Sequence, residues 1–347
     1  MTDDVLVAAL NLVVEGHDLD TRAAREVMDR IMEGAGTPAQ VGGLLSALRL
    51  KGETVEELTG MVESMRDHAV AVTLDAAAVD TCGTGGDRAG TFNISTAAAL
   101  VVAGAGCPVA KHGNRAQSSR CGSADVLEAL GVRITLPPDG VARCVREAGI
   151  GFMLAPAYHP AMRHVGPVRS ELGIRTVFNV MGPLANPARV RHQLIGTPSP
   201  ALAAKMAGVL LRLGHRRALV FAGADGIDEL VLHAPARAYV VGEGRVEETL
   251  IDPAALGLDP APLSALAGGD AARNAAQMRE VLDGASGPLR DCVILNAGAA
   301  LYAAERAPSI AAGMEEAERA LVSGAARERL DILVRVSAGE GRQERAP

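Results

Sequence analysis

The chain is 347 residues long and 48% hydrophobic, enough apolar material for a large core and for more than one domain. A net charge of −7, no Trp, and only 4 Phe and 3 Tyr exclude a general nucleic-acid binder, which relies on basic surface and stacking rings. No apolar run approaches membrane-spanning length, the 5 cysteines form no C-x-x-C pair, and the first residues lack a basic signal-peptide region, so a cytoplasmic protein with reduced thiols is expected.

The first 71 residues read as a small all-helical domain. Val5, Leu6, Ala9, Leu12 and Val13 make one apolar face, ending at Gly16. Asp20 caps a second helix with Ala24, Val27, Met28 and Ile31 inward. Thr37-Pro38 opens a third, and Thr54 with Glu57 forms a capping box for a fourth. From about Val72 short apolar runs alternate with helical ones, which implies crossover units and a larger α/β domain, its mostly parallel sheet flanked by helices. The expected strands are Val79-Asp80-Thr81, Val109-Ala110, 132–136, 151–154 and 217–221. The expected helices start at Asn93-Ile94-Ser95-Thr96, at Ser123 as a cap, at Pro138 and at Ala201. Residues 158–187 return to a helical pattern, and 239–250 reads as a hairpin beside the sheet. Helices dominate from 270 to 336; 291–304 is apolar on nearly all sides and should be a buried packing helix, while 339–347 lacks anchors and should fray.

The chemistry concentrates in residues 80–123. Gly83, Gly85 and Gly86 follow a strand and let backbone N–H groups approach an anion. Asn93, Ser95 and Thr96 add polar groups at a helix N-terminus, which favours phosphate. Lys111, His112 and Arg115 bring cations beside the same loop. The string is neither a Walker A loop nor a dinucleotide fingerprint, because Arg88 stands where the third glycine would be. We therefore read a cradle for a phosphorylated sugar. The adjacent carboxylates Asp228 and Glu229 follow a strand and suit magnesium, which rests on one or two carboxylates plus substrate phosphates. His159, Arg163, His164, Arg169 and Arg175 form a cationic concentration without zinc-site spacing, and Arg163 and Arg175 read as a solvated face. Cys82 and Cys121 read as small packing residues.

The strings GTGGD, NIST, KHGNR and GSADVLEALG, followed by residues 158–187 and DGIDEL, make the chain resemble the anthranilate phosphoribosyltransferases of tryptophan biosynthesis over most of its length. The resemblance implies magnesium-dependent transfer of 5-phosphoribose from phosphoribosyl diphosphate to the amine of anthranilate, with release of diphosphate. It implies a diphosphate-sugar site of Gly83, Gly86, Asp87, Thr91, Asn93, Ile94, Ser95, Thr96, Lys111, His112, Gly113, Asn114, Arg115, Ala116, Gln117, Ser118, Ser119 and Ser123. It assigns anthranilate to Gly83, Asn114 and Arg169, places His112 against the aromatic pocket, and gives two magnesium ions to Ser95, Asp228 and Glu229. Lys111, His112, Arg169, Asp228 and Glu229 become the catalytic set. It further implies a homodimer, no nucleic-acid or membrane partner, and residues 160–187 packed back onto the helical domain (1–71), with 72–159 and 188–347 forming the α/β domain. Arg120 and Cys121 depart from the family pattern without removing a key contact. The alternatives are a pyrimidine-nucleoside-phosphorylase-like enzyme, which carries K-H-S-T-G-G at the lysine motif, and a non-catalytic nucleic-acid-binding relative, which should be basic.

Overall fold

The protein is described from a computed structural model, covering residues 4–85, 89–116 and 120–339. The chain opens with helices α1 (Asp4–Val14), α2 (Thr21–Met32), α3 (Pro38–Lys51) and α4 (Val55–Asp67). Their starts are set by side chains: Asp20 accepts from the Ala23 N–H at 2.7 Å, and Thr37 with Gln40 and Thr54 with Glu57 form reciprocal capping boxes. In α1 the buried stripe is Leu6, Ala9 and Val13. Leu12, expected on that face, is 44% exposed, because it sits about 240° around the helix from Leu6.

The larger part continues β1 (Val79–Gly83), α5 (Ile94–Gly104), β2 (Val109–Gly113), α6 (Ser123–Ala129), α7 (Pro138–Ala148) and β3 (Ile150–Leu154). Then come α8 (Ala155–Tyr158), a 3-10 turn (Pro160–His164), α9 (Gly166–Leu172), α10 (Phe178–Leu184) and β4 (His192–Thr197). The chain closes with α11 (Pro200–Arg212), β5 (Arg217–Ala222), β6 (Ala236–Gly242), β7 (Arg245–Ile251), α12 (Ala271–Leu282), α13 (Pro288–Ala303), α14 (Ile310–Val322) and α15 (Ala325–Ala338). The seven strands lie in the order β3-β2-β1-β4-β5-β6-β7, the first five parallel and the last two antiparallel.

Three expectations need correction. Residues 132–136 form no strand: Val132 and Ile134 are buried, but the Arg133 N–H donates to Ser337 Oγ and the Leu136 carbonyl accepts from Tyr158 Oη, so its polar groups are satisfied without a sheet. Ser123 is not a cap: Gly122 holds that position, Asp125 takes the Gly122 N–H at 2.9 Å, and the Ser123 hydroxyl donates to the Asn114 carbonyl at 3.3 Å. The hairpin does not lie beside the sheet; it extends it through β6 against β5. Strand β4, which the sequence reading missed, stands at the sheet centre. Residues 340–347, expected to fray, lie outside the described residues.

One face of the sheet is covered by α5 and α13, with α14 and α15 behind them. On the other face Ile195, Ala218 and Val220 share a single apolar cluster with α11, α10 and the first four helices. The 158–187 segment reaches the helices directly: α9 packs on α3, α10 on α4, and the 3-10 turn on α2.

Candidate active site

The strand order creates a switch point between β1 and β4, where the chain departs to opposite sides. Ligands of open α/β sheets bind outside the carboxyl ends of strands at such a point. There Gly83 and Gly196 stand in register. A Cβ on Gly83 would strike the Asp228 carboxylate, and one on Gly196 the Asp228 backbone. The two glycines thus leave the space into which the Asp228-Glu229 turn is laid. Asp228 is buried and accepts from the Gly85 N–H at 2.5 Å, while Glu229 accepts from the Ser95 N–H at 3.2 Å. Behind the turn Asn296 of α13 accepts from the Leu230 N–H at 3.2 Å and donates to the Leu230 and Cys292 carbonyls, each at 2.9 Å.

Lys111 ends inside this group. Its ammonium donates to the Thr81 carbonyl and lies 3.3 Å from Ser95 Oγ, though the side chain is only 2% exposed. Asp80, fully buried one residue earlier on β1, accepts from the His112 N–H at 3.2 Å and from Asn186 Nδ2 at 2.8 Å. Burial pushes the Asp80 carboxyl up and the Lys111 ammonium down; each charge opposes the other's shift. Cys82 is held as a thiol, its pKa driven well up by burial and by Asp80, so it offers no thiolate.

His112 is buried, and desolvation with the neighbouring His159 drives its pKa to about 3; burial brings His159 to about 4. The two rings lie 5.1 Å apart, and neither Nε2 has a hydrogen-bond partner among the described residues. A ring titrating near 3 is neutral at pH 7 and a weak proton acceptor, which speaks against a base role for His112. Arg169 on α9 stacks 5.2 Å over the Phe178 ring, with burial lowering its pKa. From Phe178, α10 runs to Gly182, whose backbone bonds the His112 ring.

The remaining expected residues divide. Asn93 caps α5 with its backbone alone, and its side chain bridges Asn274 and Cys121. Ile94 and Thr96 are buried, and their N–H groups donate to the Phe92 and Asn93 carbonyls at 2.8 and 3.1 Å. Thr91 is fixed by an isolated bridge to Ala267. Arg115 is exposed and forks onto Glu128 and Asp125 of α6, and the Ala116 N–H donates to Asp125 at 2.9 Å. Gly113 lies against Ser123 and Phe152. Gly86, Asp87, Gln117, Ser118 and Ser119 lie outside the described residues. Arg163 is exposed as expected; Arg175, also exposed, instead donates to the Gly85 carbonyl at 3.4 Å. Gly196, Asp80, Asn186, Asn274 and Asn296 escaped the sequence reading. The one signal was a polar residue inside an apolar helix, Asn296 in the ILNAGAAL run.

Asp228, Glu229 and Ser95 offer hard oxygens only, the donor set of a magnesium-like cation. Among the described residues no group of three or more His, Cys, Asp or Glu forms a metal cage, so such an ion would need further oxygens from a ligand. Comparisons with known proteins bear on the family of the chain. Residues 7–69 match the family model of the glycosyl transferase helical bundle domain, and residues 75–327 match that of the glycosyl transferase a/b domain. An anthranilate phosphoribosyltransferase from Chloroflexus aggregans is 54% identical over 96% of this chain and 98% of its own, and one from Thermomicrobium roseum is 56% identical over 94% and 95%. The crystal structure of the Thermus thermophilus enzyme superimposes with a TM-score of 0.91 at 46% identity, covering 95% of this chain and 99% of that one. The Saccharomyces cerevisiae enzyme, in complex with PRPP and Mg, gives 0.89 at 25% identity over 97% and 99%. A two-glycine switch point, a buried lysine and a paired-carboxylate turn, on a fold and sequence shared this widely, make the chain a member of the anthranilate phosphoribosyltransferase family.

Proposed function

We propose that the chain transfers 5-phosphoribose from phosphoribosyl diphosphate to the amine of anthranilate, giving N-(5-phosphoribosyl)anthranilate and diphosphate, in tryptophan biosynthesis. The observation that carries this is the contact chain Gly85–Asp228, Glu229–Ser95 and Ser95–Lys111 at the β1–β4 switch point. An aryl amine is nucleophilic as it stands, so no strong base is required, which agrees with a His112 that titrates near 3. The barrier lies in separating the anomeric carbon from diphosphate. Magnesium, two ions in our reading, held by Asp228, Glu229 and Ser95, would neutralise charge on the leaving group. Lys111 adds a fixed positive charge beside Ser95, at the same end of the site. The α5 N-terminus and the Gly83–Asp87 and Lys111–Ser123 loops bind the phosphorylated sugar. Arg169 grips the anthranilate carboxylate with its planar fork, the Phe178 ring fixing its plane, and Asn114 and Gly83 complete that pocket. The rest is alignment of the amine with the anomeric carbon.

The same reading takes residues 1–71 with 160–187 as one functional domain and the remainder as the other, working as a cytoplasmic homodimer. Apolar side chains left exposed on α1 and α3, such as Val14 and Leu50, support the dimer, and no described helix is long and apolar enough to cross a membrane. The test is the decay of anthranilate fluorescence with purified protein, phosphoribosyl diphosphate and magnesium. Decay abolished by EDTA and lost in Arg169→Ala is the expected result. No decay, with phosphoribosyl diphosphate still bound in a metal-dependent way, would overturn the acceptor assignment.

A further inference from the structure

Asn274 lies on α12, outside every motif that makes up the site, and is 1% exposed. A buried asparagine must place one acceptor and one amino group, and its partners decide which way the amide faces. The Gly269 N–H can only donate, and it meets Asn274 Oδ1 at 2.6 Å. Asn274 Nδ2 therefore faces Asn93 and donates to its Oδ1 at 2.8 Å. That leaves Asn93 Nδ2 as the donor to the Cys121 carbonyl at 3.1 Å. One backbone amide thus sets the polarity of a three-bond relay joining the loop into α5 to the loop into α6. Its origin is itself anchored: Thr91 bridges Ala267, the Phe92 N–H donates to Leu266 and the Gly268 N–H to Gly90, both at 2.9 Å. With its oxygen engaged by Asn274, Asn93 has one N–H without a partner among the described residues, suited to a ribose hydroxyl or phosphate oxygen.

We infer that Asn274 is a positioning residue for the phosphoribosyl diphosphate site: it fixes the orientation of the Asn93 amide and ties the two substrate-binding loops together. The inference rests on the reading of Asn93 as a contact to that substrate. Asn274→Asp tests it, because the variant keeps its size and the acceptor for Gly269 but sets an oxygen against Asn93 Oδ1. The expected result is a KM for phosphoribosyl diphosphate raised about tenfold, from a buried polar pair turned unfavourable, with the KM for anthranilate within about twofold of the parent. In an Asn93→Ala background the same substitution should add clearly less, since the route through Asn93 is gone and only the contact of Asn274 with the Cys121 side chain remains. Asn274→Ala, which removes the amide donor to Asn93 without adding charge, should shift the same constant in the same direction. An unchanged KM in both Asn274 variants, or an undiminished effect in the Asn93→Ala background, would overturn the relay. A KM unmoved by Asn93→Ala alone would overturn the inference together with the substrate role of Asn93, while parental turnover measured alongside tests the reaction itself.

Discussion

Gly83 and Gly196 face the same turn but not the same atoms. Gly83 meets the Asp228 carboxylate, the far end of a side chain, whereas Gly196 meets the Asp228 carbonyl group, which Asn296 holds through Leu230. A methyl on Gly196 cannot be relieved by a rotamer change, so the carboxylate-bearing turn must move. Gly196→Ala should lower kcat/KM about 100-fold, the usual consequence of a displacement near 1 Å at a reacting centre. Its cost in stability should stay near that of ordinary overpacking, ~1–3 kcal/mol. Steady-state kinetics and urea unfolding on the same preparation check this; kinetics equal to the parent would sink the close-approach argument. Gly83 was legible in advance because GTGGD is a recognisable loop. Gly196 was not, since its role exists only through its register with β1. Lys111, Asp228 and Glu229 were legible as residues, but Asp80 was not: a strand aspartate looks ordinary until burial and its bonds to His112 and Asn186 are seen.

At the level of elements, the α/β alternation and the helix caps could be read because each depends on neighbours in sequence. β4 could not. Its first two residues, His192 and Gln193, are polar, and both are buried only because remote partners receive them: His192 Nδ1 meets the Ala303 carbonyl at 3.0 Å, and Gln193 Nε2 donates to the Pro183 carbonyl at 2.9 Å. The reverse error occurred at 132–136, where alternation was real but packing on α15 replaced pairing. Helix α13 was read correctly as buried, yet its single internal asparagine does more than fill space. Asn296 satisfies both backbone groups of Leu230, the residue after the paired carboxylates. Asn296→Ala should leave the Leu230 N–H unpaired and its carbonyl to the Cys292 thiol alone, 3.1 Å away, and so loosen the turn. We expect the magnesium concentration for half-maximal rate to rise about 10- to 100-fold, the range for groups that orient metal ligands. Manganese binding followed by electron paramagnetic resonance gives a readout apart from turnover, and unaltered affinity there would show that the turn holds without α13.

For the molecule as a whole, the informative feature is the seam where α10 returns from the helical region to the sheet. His112 on β2 and His159 before the 3-10 turn meet there, and their rings bond the backbone of Gly182 and Ala185 respectively. Arg169 stacks on the other end of the same helix. The apolar cluster beneath is continuous from the first four helices through α10 into the sheet, so loosening the seam exposes a shared core rather than a local loop. Both histidines titrate at 6.5 when unfolded and at about 3 and about 4 when folded, chiefly because burial disfavours the imidazolium. Between those values the unfolded chain binds more protons than the native one, so stability must fall as pH falls. The contribution is intact above pH 6.5 and is lost progressively below it, down to the folded values, by up to about 1.4 kcal/mol per pH unit for each ring. Carboxylates titrate in the lower part of the same window, so the discriminating comparison is with His159→Asn. Urea unfolding from pH 7 to 4.5 should show a shallower decline for the variant than for the parent. Parallel curves would mean that His159 does not link acid to the seam, and the loss would then have to be sought among the carboxylates.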